Sequence, residues 1–209
     1  MSGKYDLVIV GGGISGASLL YTTAKFTDID SIALIEKESE IAAINSHHTN
    51  NSQTLHFGNI ETNYTLEKAL KVKRAADMLK NYAVSQPDSH HIIYKYPKMV
   101  LGVGQDECRQ LRQRFEVFGP HYPNLKLLDK KAIAKIEPAV AMRDGHFRDD
   151  EIVALGSTDE YTAVDYEALS VSFVRQASAE RHKEIDQHFD EYVTHINIED
   201  DRFLVETRH

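Results

Sequence analysis

Residues Tyr5-Asp6-Leu7-Val8-Ile9-Val10-Gly11-Gly12-Gly13-Ile14-Ser15-Gly16 decide the reading of this chain. An apolar, β-branched run from Leu7 to Val10 enters a glycine turn, and a segment bearing alanine and leucine leaves it. That order predicts strand, turn and helix, with Gly11, Gly13 and Gly16 at the positions of the G-x-G-x-x-G signature. Each glycine has a physical task in such a turn. Gly11 permits the tight bend, Gly13 lets a pyrophosphate approach the backbone, and Gly16 lets helix and strand pack closely. The phosphate would sit at the helix N-terminus, around Ile14 and Ser15, where unpaired N–H groups and the helix dipole favour negative charge.

The flanks support this reading. Residues 17–26 can continue the helix, and Ser31-Ile32-Ala33-Leu34-Ile35 reads as a second buried strand ending at Glu36-Lys37. Glu36 falls 20 residues after Gly16, where an acidic side chain accepts hydrogen bonds from the hydroxyls of an adenosine ribose. Strand, turn, helix, strand and acid are in register, which predicts a dinucleotide-binding βαβ unit.

Composition narrows the class. With 42% apolar and 27% charged residues the chain reads as globular, and its net charge of −8 argues against a nucleic-acid partner, which needs a basic footprint. No run approaches the roughly 18 apolar residues of a bilayer span. The start of the chain enters the first strand directly, leaving no room for a signal peptide, so a cytoplasmic α/β protein is expected. The single cysteine, Cys108, excludes an internal disulfide framework. Acidic Asp106 and Glu107 beside it oppose thiolate activation, so Cys108 is read as structural.

Beyond Glu36, the polar run Ser46 to Thr54 is a loop by composition, either a ligand-lining loop or ordinary surface. His47-His48 within it and His90-His91 later carry no accompanying metal-ligand spacing, and neighbours in an extended loop point apart, so no metal is expected. Thr65 to Ala83 is the clearest helix, with Thr65 as its N-cap and a basic polar side that fits either a solvated face or contact with acidic lipid. Strands follow at 92–96 and 98–103, then a helix opening at Gly104 and stopped by Gly119-Pro120, a short helix from Lys130 to Glu137, and a strand at 152–155. Asp165 caps a further helix, and residues 193–205 read as a β-hairpin. After Glu36 no strand-like run appears until Ile92, whereas an ordinary nicotinamide-binding domain continues at once with another βα unit. A postponed third strand is the layout of flavoproteins that interleave a substrate domain with an FAD domain.

At Asn50-Asn51-Ser52-Gln53-Thr54-Leu55-His56 and Glu61-Thr62-Asn63-Tyr64-Thr65 the chain resembles the N-terminal half of malate:quinone oxidoreductases, within the glycine/D-amino-acid-oxidase-like FAD superfamily. Ser52, Gln53 and Leu55 stand where many members carry Ala, Gly and Gly, and are similar to the branch whose loop reads Asn-Ser-Gln-Thr-x-His. Leu128 to Pro138 and Thr162 to Leu169 resemble further superfamily segments. The resemblance implies a Rossmann-like FAD-binding βαβ unit interleaved with an α+β substrate domain, and an apparently truncated chain, since members run considerably further. The expected division is 1–60 for the N-terminal part of the FAD domain, 61–190 for inserted helical and strand segments, partly substrate domain, and 191–209 for a β-hairpin leading back towards an FAD-domain strand expected to be missing from this chain.

It also implies FAD as cofactor, oxidation of (S)-malate to oxaloacetate, and electron delivery to quinone through peripheral contact with the cytoplasmic face of the inner membrane. Gly11, Gly13, Ile14, Ser15, Gly16, Glu36 and Lys37 would then hold the ADP part, and Asn51, Ser52 and Gln53 the flavin or its ribityl chain. His56 would be the proton acceptor or a dicarboxylate contact, although a packed loop histidine is equally consistent with its residue type. A related oxidase of another 2-hydroxy acid, such as 2-hydroxyglutarate, and a nucleotide-binding fragment without turnover remain as alternatives.

Overall fold

The computed structural model describes Gly3–His209. The chain opens with β1 (Leu7–Val10), α1 (Ile14–Phe26), β2 (Ser31–Ile35) and, after a long loop, α2 (Leu66–Ser85). There follow β3 (Ile93–Lys95), β4 (Lys98–Val103), α3 (Gly104–Phe118), β5 (Lys126–Leu128), α4 (Lys130–Ile136) and α5 (Pro138–Ala141). The short strands β6 (Met142–Arg143) and β7 (His146–Phe147) precede β8 (Ile152–Ser157), β9 (Tyr161–Val164) and α6 (Tyr166–Ser178). Three strands end the chain: β10 (Glu184–His188), β11 (Tyr192–Glu199) and β12 (Arg202–Arg208). Among the described residues no helix is long and apolar enough to cross a membrane.

The chain divides into two compact units. One comprises the residues up to Gln53 together with Asp165–His209, the other Thr54–Val164. The first unit holds a parallel sheet in the order β1-β2-β10. Its core is the apolar run expected from sequence, with Ile9, Ile32, Ala33, Leu34 and Ile35 buried. α1 buries Ala17, Leu20 and Ala24 and packs against α6, which buries Leu169, Ser170, Phe173 and Ala177, with the Tyr21 and Phe173 rings 5.2 Å apart. The buried small residues let the two helices approach closely.

One expectation is corrected here. The third strand is postponed behind the inserted segment, as expected, but it is not missing: β10 pairs parallel with β2 from Glu184↔Ser31 to His188↔Ile35. Its sequence, Glu-Ile-Asp-Gln-His, lacks the apolar run of a buried strand, and Glu184, Asp186 and Gln187 are exposed along this outer strand. In the compact units α6 and β10 group with the βαβ unit, and Thr54–Val164 forms the other unit.

In the second unit, β4, β8 and β5 form an antiparallel sheet with β8 in the middle, and β3 pairs with β9. Every residue of β8 is buried. Leu128, Ile133, Ala141, Ile152 and Ala154 form one apolar cluster. α2 starts where expected, with the Thr65 hydroxyl accepting from the Lys68 N–H. Its basic side is partly neutralised, because Lys73 and Lys80 both pair with Asp77. Cys108 is fully buried, its Sγ 3.3 Å from the Gly102 carbonyl, and burial pushes the thiol pKa up, as suits a packing residue.

Candidate functional site

The first constellation lies where β1 meets α1. Gly11 has φ +100°, a conformation that glycine adopts without steric cost. A Cβ on Gly16 would stand 1.8 Å from the Gly11 carbonyl oxygen, so this position excludes any side chain. Gly13 differs. It has φ −70°, and a Cβ there would meet only the Ser46 Oγ, at 3.3 Å. A Cβ at Gly13 fits only if the buried Ser46 hydroxyl gives by a few tenths of an ångström, and a ligand approaching the backbone would leave it no room.

Glu36, at the end of β2, is 8% exposed. Its Oε2 accepts from the Gly12 N–H at 2.6 Å and its Oε1 from the Glu38 N–H at 3.0 Å. These bonds hold the carboxylate against the glycine turn while an ionised carboxylate keeps lone pairs for further donors. Helix α1 has no side-chain cap at Gly13 and no acid in its first turn. A ligand with a diphosphate and donor hydroxyls fits this set: N–H groups and a positive dipole end for the anion, a buried carboxylate for the ribose. Lys37 is exposed beside it, 3.4 Å from the Glu38 carboxylate.

Ser46 was not foreseen. It is 5% exposed, and its Oγ accepts from the Ile14 N–H at 2.9 Å, placing a hydroxyl at the turn where the phosphates are expected. A serine opening a polar loop carries no distinguishing sequence signal; only the folding back of residues 42–46, marked by the Ala42 N–H bonding to the Gly12 carbonyl, brings it there.

The loop after Ser46 is turned, not extended. The rings of His47 and His48 lie 4.2 Å apart, and both reach the Glu167 carboxylate, His48 Nδ1 at 2.7 Å and His47 Nε2 at 3.6 Å. The expectation that these two side chains diverge is thereby corrected, and one ligand atom from each of the three residues lies within 4.8 Å of the others. The Asn51 amide donates to the Asn45 and His47 carbonyls and accepts from the Gln53 N–H. Gln53, at φ +51°, donates to the His47 carbonyl and accepts from the Tyr166 N–H at 2.8 Å, at the first turn of α6. Both amides are thus engaged in shaping the loop. Ser52 is exposed between them.

His56 belongs to the other unit. Its Nδ1 lies 2.7 Å from Glu61 Oε1, with the imidazole 54% exposed and the carboxylate 14% exposed. Lys98 Nζ stands 3.4 Å from the same oxygen. The intervening backbone is clamped by Arg114, whose guanidinium donates to the carbonyls of Gly58, Asn59, Glu61 and Tyr64, and by Tyr122, whose hydroxyl donates to the Phe57 carbonyl. Burial pushes the Glu61 carboxyl up, but the His56 hydrogen bond, the Lys98 charge and a backbone hydrogen bond outweigh it and hold the group below the ordinary glutamate value. Glu61, Lys98 and Arg114 all escaped sequence reasoning, because each is an ordinary charged residue until the fold brings it to the 55–64 loop.

A dinucleotide-binding α/β unit with a second, interleaved α+β unit defines the class. Solved structures agree on the fold: glycine oxidase from Bacillus cereus superposes with TM-score 0.70 at 18% identity over 98% of this chain and 51% of its own. The L-α-glycerophosphate oxidase of Mycoplasma pneumoniae, solved with FAD bound, gives 0.68 at 20% identity over 99% of this chain and 50% of its own. The malate:quinone oxidoreductase family model matches residues 3–209, and the chain belongs to that family. It is 41% identical to the probable malate:quinone oxidoreductase of Campylobacter jejuni over 98% of this chain and 46% of that protein. With the malate:quinone oxidoreductase of Helicobacter pylori it shares 37% over 85% of this chain and 40% of that protein. The chain therefore spans a little under half the length of the curated relatives it matches.

Proposed function

We propose that this chain is the FAD-binding N-terminal portion of an enzyme that oxidises (S)-malate to oxaloacetate and delivers the electrons to quinone. The observation that carries the reading is the family match over residues 3–209. The glycine turn with its buried Glu36 supports FAD, as does the likeness to an oxidase solved with FAD bound. When bound, FAD supplies a two-electron acceptor for the hydride of malate C2.

The chain's own residues do the rest of the work assigned here. Gly11, Gly13 and Gly16 shape the turn, and the Ser15 backbone N–H with the hydroxyl of Ser46, which takes the Ile14 N–H and keeps its own hydrogen to donate, holds the diphosphate. Glu36 accepts the ribose hydroxyls, with Lys37 beside it. Asn51, Ser52 and Gln53 form the loop assigned to the ribityl side. His56 Nε2 takes the proton of the malate hydroxyl as the C2–O bond becomes a carbonyl, a role suited to an imidazole, whose two ring nitrogens can hold and release a proton. Quinone as acceptor places the working protein at a membrane surface by peripheral contact.

The test is direct. Protein purified and incubated with FAD should be yellow after desalting, and malate with a quinone-coupled dye should then reduce the dye. A colourless protein after FAD incubation sinks the cofactor assignment. Flavin retention with dye reduction by 2-hydroxyglutarate and none by malate sinks the substrate.

A further inference from the structure

The carboxylate of Glu61 is spent in an unusual way. One oxygen, Oε1, serves both the His56 ring and the Lys98 ammonium, while among the described residues no hydrogen bond reaches the buried Oε2. A carboxylate kept only to tie a loop together would satisfy both oxygens, because an unpartnered buried polar atom is costly. The loop is already tied by Arg114 and Tyr122 through backbone carbonyls, without the Glu61 side chain. The shorter of the two Glu61 contacts, at 2.7 Å against 3.4 Å for Lys98, is the one to the histidine.

We propose that Glu61 is the positioning residue for His56, holding its imidazole as the Nδ1–H tautomer so that Nε2 presents its lone pair for the substrate's hydroxyl proton. The inference rests on the reading of His56 as proton acceptor and adds the group that prepares it. An ionised carboxylate only accepts hydrogen bonds, so the ring nitrogen 2.7 Å away must carry the hydrogen. In a neutral imidazole the other nitrogen is then unprotonated, and the half-exposed ring leaves it accessible. As Nε2 takes a proton, the ring becomes a cation beside Glu61, and the pair gains attraction at the step where charge develops. The charged and titratable groups facing this pair are Lys98, Arg114 and Tyr122. Lys98 tempers the carboxylate, and Arg114 acts through the loop backbone.

The experiment is ring nitrogen NMR of His56 in the full chain, with no substrate or electron acceptor needed. The wild-type protein should show a protonated Nδ1 and an unprotonated Nε2 above the His56 titration midpoint. Glu61→Gln should lower that midpoint by about one pH unit, as expected for loss of an adjacent opposite charge. Lys98→Met, which leaves the pair in place, should raise it. An Nε2–H ring in the wild-type protein, or an unchanged midpoint in a folded Glu61→Gln chain, overturns the pairing alone. The wild-type tautomer needs no variant, so the pairing stays testable should Glu61→Gln misfold. In the flavin-loaded protein, malate-dependent dye reduction that survives His56→Gln overturns the functional reading and with it the purpose of the pair.

Discussion

Gly13 and Gly16 belong to one motif but answer to different forces, and substitution separates them. At Gly16 the added Cβ would lie 1.8 Å from a backbone oxygen, so Gly16→Val must push α1 off β1. We expect a loss of about 3 kcal/mol, at the upper end of overpacking costs, read as a lowered urea midpoint. Gly13 is the N-cap of α1 with an ordinary φ, and aspartate is a favoured N-cap residue. Gly13→Asp should therefore fold, with the cap offsetting a small shift of the Ser46 hydroxyl, yet lose flavin, because its carboxylate occupies and repels the diphosphate position. A Gly13→Asp protein that keeps its flavin would refute the phosphate site. Glu61 supplies a pH prediction at the same scale. Its folded pKa is depressed, so its contribution to stability is complete above the ordinary glutamate value and is lost as pH falls through the folded value. Denaturation midpoints measured from about pH 5 downward should fall less steeply in Glu61→Gln than in the parent; identical acid slopes would contradict this.

At the scale of elements, α6 shows how the loop from Ser46 to Gln53 is anchored. Its N-terminus has two side-chain acceptors: Asp165 Oδ1 receives the Ala168 N–H at 2.9 Å, and Gln53 Oε1 receives the Tyr166 N–H at 2.8 Å. Removing either should leave a helix-end donor short of a partner. Asp165→Ala and Gln53→Ala are each expected to cost about 1 kcal/mol, measured by thermal or urea unfolding. A neutral Gln53→Ala would mean the contact contributes nothing to holding the loop. The Asp165 cap was legible in the sequence, because an acid just before an apolar-periodic segment, here four residues ahead of the first buried position, Leu169, is a start signal. The Gln53 contact was not, since it joins residues 113 positions apart. The same contrast runs through the strands. β1 and β2 announce themselves as apolar β-branched runs, β2 being almost wholly buried and β1 burying Ile9, whereas β10 is polar, half-covered and identifiable only by its pairing with β2. Sequence shows which residues want to leave water; it says little about an outer strand held chiefly by backbone hydrogen bonds.

Taken as a molecule, the chain states its nucleotide chemistry locally and its proton chemistry at longer range. The glycine turn and Glu36 are fixed by spacing within one βαβ unit, so motif reading reached them, while Ser46 and the His56–Glu61 pair depend on loops folding back. In the proposed reading the groups of explicit geometry in the first unit would address phosphates and ribose: the donor end of α1, the Ser46 hydroxyl and the Glu36 carboxylate. Binding to the 209-residue chain should therefore draw chiefly on the ADP moiety. We expect ADP to displace FAD with a dissociation constant within about tenfold of that for FAD, a difference of about 1.4 kcal/mol. Competition followed by flavin fluorescence measures it. Glu36→Gln, which keeps the size but removes the ribose-binding charge, should weaken both ligands by the same factor, because the group it alters lies in their shared half. FAD binding that ADP cannot displace, or a Glu36→Gln penalty confined to FAD, would place the main binding energy on the flavin side and contradict an ADP-centred site.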